Sequence, residues 1–155
     1  NRMRFPLEVV EAVRRVWPSH KPLAARISAS DWLDDEGGFT LAEAVELSKA
    51  LKAAGCDLID VSSAGNSPRS KPEYGRMYQV GFAERIRFEA LVPVMTVGGV
   101  MSPDHVNSIL AAGRADLCAV ARAHLADPYF TLRAGAQYGY DDAAWPTQYL
   151  AAKPR

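Results

Sequence analysis

Apolar and polar positions switch between two periods along this chain, and the switching marks out its elements. From Pro6 to Trp17, the residues Val9, Val10, Val13, Val16 and Trp17 recur at helical spacing with Glu8, Glu11, Arg14 and Arg15 between them. Pro6 suits a first turn and Pro18 a stop, so an amphipathic helix covering a sheet is expected. PLAARISAS, Pro22 to Ser30, has the short apolar pattern of a strand and carries one charge, Arg26. Thr40-Leu41-Ala42-Glu43 is a capping box that opens a second helix, with Leu41, Ala44, Val45 and Leu51 as its buried stripe and Gly55 as its close. DLIDVS, Asp57 to Ser62, reads as the next strand, and Tyr78 to Ala90 as a helix with Phe82, Ile86 and Phe88 apolar.

Two further runs, VPVMTVGGV from Val92 and GRADLCAVAR ending at Arg122, are apolar and close on small residues, the pattern of buried parallel strands. Between them Ser102 is an N-cap, Pro103 fits the first helical position and Asp104 puts an acid in the first turn. A short helix from Ala123 to Leu125 is broken by Asp127-Pro128, and another runs from Tyr129 to Gln137. The βα units therefore occupy 1–137. Residues 138–155 form an irregular tail whose aromatics are expected to pack across the rim of the body or against a second subunit.

Helices and strands alternate throughout, which makes this an α/β chain with a parallel sheet. Four strands fit either a small doubly wound sheet or half of a (β/α)8 barrel. A full barrel takes about 250 residues, so a chain of 155 does not supply one. The opening Asn1-Arg2-Met3, without an initiator methionine, points to part of something longer and so to the half barrel.

The chemistry suggested by these strands lies at their ends. Gly98 and Gly99 after one strand and Arg122 after the next can gather backbone N–H groups and a guanidinium around a dianion, and barrels often hold a phosphate on two successive strand ends. A glycine pair alone is more often a plain tight turn, and Arg122 has Asp116 and Asp127 as alternative partners. Arg26 shares a strand face with the small Ala24 and Ser28; ligand binding and an ion pair with Asp60 are equally open there. The acidic loop holding Asp31, Asp34, Asp35 and Glu36 reads as a solvated turn, and the polar run after Ser62, with Gly65, Pro68, Pro72 and Gly75, as a functional lid or mobile segment.

Composition removes other classes. Eighteen basic residues balance eighteen acidic ones and no basic run occurs, which argues against nucleic acid. No apolar run approaches the roughly 20 residues that span a bilayer, so membrane association is not expected and the location reads as cytoplasmic. Cys56 and Cys118 sit in apolar surroundings as small hydrophobes, and His20, His105 and His124 show no ligand spacing, so no metal site is assigned.

With these residues in place, the chain resembles the C-terminal half of an Old Yellow Enzyme, the FMN-dependent ene-reductases, and within them the bacterial NADPH dehydrogenases. The segments that carry the resemblance are NRMRFPLEVVEAVR, PLAARISASDW, GCDLIDVSS, YQVGFAERIR, GRADLCAVARAHLADPYF and WPTQY, in the family's order. The chain is also similar to the reductase-like domain of bifunctional aryl-CoA monooxygenases. The resemblance implies a (β/α)8 TIM barrel fragment, strands five to eight, that would bind FMN with NADPH or NADH as reductant and an activated alkene as substrate.

It further implies roles for five residues. Arg26 matches an arginine on the pyrimidine side of the flavin, Gly98 and Gly99 the turn that receives the FMN phosphate, and Arg122 the arginine that pairs with it. Ala121 stands where the family usually has glycine and can still offer its N–H if its backbone angle is ordinary. Ala151 stands where the subclass has an arginine that reaches a neighbouring subunit. The family's substrate-holding His pair and its proton-donating tyrosine fall upstream of Asn1, so no catalytic residue is assigned. The half barrel's open edges would be met by the missing N-terminal half or by a second copy, making a homo-oligomer. The alternative reading is a non-catalytic phosphate- or nucleotide-binding half barrel that self-associates.

Overall fold

The computed structural model describes residues 1–153; the last two residues of the expected irregular tail lie outside them. Four strands, β1 (Ala24–Ser28), β2 (Leu58–Ser62), β3 (Val94–Thr96) and β4 (Leu117–Cys118), pair in parallel in the order β1-β2-β3-β4. The intervening helices are α2 (Leu41–Ala53), α3 (Val80–Ala90) and α4 (Pro103–Ala111), preceded by α1 (Arg4–Val16) and followed by α5 (Arg122–Ala126) and α6 (Phe130–Gln137). Right-handed crossovers that always step in one direction place their helices on one side of the sheet. A doubly wound sheet needs a reversal of strand order, and this sheet has none, so the fold is a set of successive βα units of a (β/α)8 barrel.

The expected local signals are present. Thr40 Oγ1 accepts from Glu43 N at 3.4 Å while Glu43 Oε2 accepts from Thr40 N at 3.0 Å, which closes the capping box of α2. Ser102 Oγ accepts from His105 N at 3.2 Å, with Pro103 at the first helical position of α4. Beneath the helices Ile59, Val61, Val94 and Thr96 are fully buried, joined by Val45 and Leu51 of α2 and Val80 and Ile86 of α3. This layer supplies most of the apolar burial that holds the fold.

The opposite sheet face has no cover among the described residues. The register sets Arg26, Asp60, Met95 and Leu117 in one row across the strands, and Leu117 at the β4 edge is 51% exposed. In a closed barrel this face is the interior.

Two apolar stripes differ from expectation. Of the stripe expected on α1 only Val10 is buried, and Val9, Val16 and Trp17 stay exposed. The helix meets the core through Met3, Leu7 and Val10 instead, and Arg14 anchors its far end, its guanidinium donating to Gly55 O at 2.9 Å and to Asp57 Oδ2 at 2.5 Å. Asp57 also accepts from Leu23 N, and that bond, followed by the one from Arg14, holds its carboxyl below the usual range. On α3, Phe88 points outward at 56% exposed, because the small Ala83 and Ala90 take the positions against the sheet.

Candidate functional site

The C-terminal ends of β1, β2 and β3 are tied together by one file of buried polar groups. Trp32 Nε1 donates to Ser63 Oγ at 3.0 Å, Ser63 Oγ donates to Gln79 Oε1 at 2.6 Å, and Gln79 Nε2 donates to Val97 O at 2.8 Å. Gln79 is 2% exposed and stands immediately before α3. Its amide thus fixes the carbonyl that leads into the glycine pair. Nothing in the apolar and polar spacing singled out Gln79 or Ser63. The available signal was a lone amide between a polar loop and an apolar helix, which is weak.

The glycine pair is demanded by the packing of this chain. Gly98 has φ +102° and Gly99 φ +68°, both in the region that side chains disfavour. A Cβ on Gly98 would overlap Gln79 Nε2 and come within 2.7 Å of Tyr78 Cε1. On Gly99 it would overlap the Gly75 carbonyl oxygen and lie 2.8 Å from Met77 N. The polar run after Ser62 is therefore seated on the turn. It is bound elsewhere too: Met77 N donates to Gly99 O, Ala64 N to Ser30 O, Ser70 Oγ to Asp31 O and Asn66 Nδ2 to Asp31 Oδ1. The run expected as a functional lid or mobile segment is thus hydrogen-bonded to Ser30 and Asp31 at one end and to Gly99 at the other. The acidic loop is likewise engaged, with Asp31 held as above and Glu36 paired with Arg69.

Gly98 and Arg122 line one hollow of about 570 Å³, together with Tyr74, Gly75 and Tyr78. Gly99 is turned toward the Gly75–Met77 backbone and is not among the lining groups. Ala121 precedes Arg122 with φ −110°, an ordinary angle for an L residue, so alanine is unstrained there. The alternative partners of Arg122 are occupied. Asp116 pairs with Arg87 and Asp127 with Arg133, and Arg122 has no ion-pair partner among the described residues. An exposed cation without a counter-ion, beside a glycine turn and two phenols, is a donor set suited to a phosphate group.

Arg26 lies at the other edge of the sheet. Three strand spacings separate its strand from β4, about 14 Å. Its Nη1 donates to Asp60 Oδ2 at 2.8 Å and its Nη2 to Ser62 Oγ at 3.3 Å. The ion pair weighed from the sequence is thus formed, yet the Arg26 side chain remains 56% exposed on the open face. Asp60 is nearly buried, and its Oδ1 has no hydrogen-bond partner among the described residues. Strain gathers at the same end of the sheet: Trp32 and Ala64, just beyond β1 and β2, and Met77 beside the glycine turn all have positive φ. Among the described residues no three His, Cys, Asp or Glu side chains cluster to hold a metal ion, and no helix is long and apolar enough to cross a membrane.

Compared with known proteins, residues 1–140 match the NADH:flavin oxidoreductase / NADH oxidase family. The chain belongs to that family. It is 42% identical over 149 residues to an NADPH dehydrogenase of Geobacillus thermodenitrificans, covering 96% of this chain and 42% of that protein. An NADPH dehydrogenase of Clostridium acetobutylicum is 42% identical over 132 residues, 85% of this chain and 38% of its own. A 6-hydroxypseudooxynicotine amine oxidase from Pseudomonas geniculata superposes with a TM-score of 0.71 at 26% identity, over 92% of this chain and 21% of that one. The chain thus spans about two fifths of the length of the NADPH dehydrogenases it matches, consistent with a portion of an FMN-family barrel. The Old Yellow Enzyme resemblance and the half-barrel fold both hold.

Proposed function

We propose that this chain is the phosphate-holding half of an FMN-dependent NAD(P)H oxidoreductase. The observation that carries the reading is the hollow where Gly98 meets Arg122, which has no ion-pair partner among the described residues, at the C-terminal end of the parallel strands. Arg122 supplies the permanent cation for the phosphate and the backbone at Gly98 supplies a donor, with Gly99 shaping the turn behind it and Ala121 leading into Arg122. Arg26, held by Asp60 and still open to solvent, supplies a second cation for the flavin ring on the other side of the sheet. When bound, FMN supplies the hydride chemistry by which NADH or NADPH would reduce an activated alkene such as an α,β-unsaturated carbonyl.

The groups that clamp and protonate such a substrate are not assigned to residues of this chain. The uncovered sheet face with Met95 and Leu117 is taken to meet the remaining half of a barrel or a second copy of this chain. A cytoplasmic setting accords with this reading. The test is the affinity for FMN, measured by quenching of flavin fluorescence. Arg122→Ala should weaken it by roughly 1.5–3 kcal/mol through loss of a charge-assisted bond. An affinity equal to that of the unaltered chain would remove Arg122 from the phosphate site.

A further inference from the structure

The anion hollow has a wall that the glycine turn and Arg122 do not account for. Tyr78 lies with its ring edge against Gly98, close enough that any Cβ there would collide with its Cε1. Tyr74 packs against it edge-on, centroids 5.3 Å apart at 71°. The adjacent Gln79, fixed by Ser63 and Val97, holds the Tyr78 backbone beside the turn. The Tyr78 hydroxyl makes no hydrogen bond to a described residue, although its ring is half-buried.

We propose that Tyr78 is an anion-binding residue of this hollow, its phenol donating to the same phosphate oxygens that Arg122 neutralises, with Tyr74 bracing the ring. This rests on the reading of the hollow as a phosphate site. Tyr78 and Arg122 line the same hollow, so the two groups converge on one volume. Burial, and then Tyr74, push the phenol up from its ordinary value against the opposing pull of Arg122, so at neutral pH it keeps its proton and remains a donor. A neutral donor beside a cation favours a doubly charged phosphate without adding a charge to be desolvated.

The discriminating measurement compares FMN with riboflavin, which shares the ring and ribityl chain but lacks the phosphate. Tyr78→Phe keeps the ring against Gly98 and removes only the hydroxyl. It should weaken FMN binding roughly tenfold, as for a lost hydrogen bond to a charged group, and leave riboflavin binding unchanged. Equal losses for both ligands, or no loss for FMN while Arg122→Ala weakens it, would overturn the role of Tyr78 and leave the phosphate reading standing. No loss of FMN affinity in Arg122→Ala would bring down the phosphate reading itself, as would failure of the unaltered chain to take up FMN.

Discussion

Replacing Gln79 tests how the mouth of the sheet is held. Its side chain makes two bonds in a buried setting, accepting from Ser63 Oγ at 2.6 Å and donating to Val97 O at 2.8 Å. Gln79→Met keeps the approximate volume and removes both. A buried polar group left without a partner costs roughly 1–3 kcal/mol. Ser63 still accepts from Trp32 Nε1, so its share falls at the low end, about 1 kcal/mol, while the Val97 carbonyl loses its side-chain donor at about 2 kcal/mol. The sum, about 3 kcal/mol, is a large part of the 5–15 kcal/mol that holds a typical domain together. With a urea m-value near 2 kcal/mol/M, the unfolding midpoint should fall by about 1.5 M.

Gln79→Glu separates the two bonds, because it keeps an acceptor for Ser63 but sets a carboxylate against the Val97 carbonyl. Burial at this position, 2% exposed, raises the folded pKa of that glutamate above its unfolded value of about 4.3. Stability of the variant should be highest below that pH, where the protonated carboxyl can donate to Val97, and should fall as pH rises through the folded pKa. A Met variant with an unchanged midpoint, or a Glu variant without this pH dependence, would refute the structural role assigned to the file from Trp32 to Val97.

Two other substitutions follow from single residues. Asp116 joins α3 to β3, accepting from Arg87 and, at 2.9 Å, from Val94 N; the Arg87 bond, with the Val94 N–H adding to it against partial burial, holds its carboxyl below the usual range. Asp116→Asn should cost about 1 kcal/mol near neutral pH, since a pair one-third exposed is screened by solvent. That difference from wild type should vanish as acid protonates Asp116, below its unfolded pKa of 3.8 and through its lower folded value; a difference that persists in acid would count against the ion pair. Leu91 ends α3 with φ +52° and is 73% exposed. Leu91→Gly should therefore raise stability by roughly 0.5–1 kcal/mol, relieving a left-handed L residue with little packing lost, and a lower melting temperature would contradict this.

Much of the fold was legible because the signals for it are local. The Thr40–Glu43 box and the Ser102-Pro103 start lie within single turns, and the apolar runs closing on small residues are both parallel strands, although β4 is less buried than its pattern suggested, with Leu117 51% exposed. The stripe on α1 misled because two apolar faces share the helix and periodicity does not say which one is covered; the covered face runs through Met3, Leu7 and Val10, with Arg14 beside it, and Val9, Val16 and Trp17 stay exposed. The site was legible in part. Gly98 and Arg122, picked out by their positions after successive strands, do line one hollow, and of the two readings left open for Arg26 the ion pair with Asp60 is the one formed. Gln79 and Ser63, and the seating of Tyr78 against Gly98, were missed because they depend on contacts between loops far apart in sequence, which no spacing rule encodes.

The polar file that crosses the strand ends has a dynamic consequence. Trp32, Ser63 and Val97 belong to three separate connections, and Gln79 joins two of them, so freeing any one strips a neighbour of its hydrogen bond. Segments coupled in this way exchange their amide hydrogens as a cooperative unit rather than fraying singly. An anion gripped at one corner would then slow exchange at all of them, including the amide of Trp32 on the far side of the mouth.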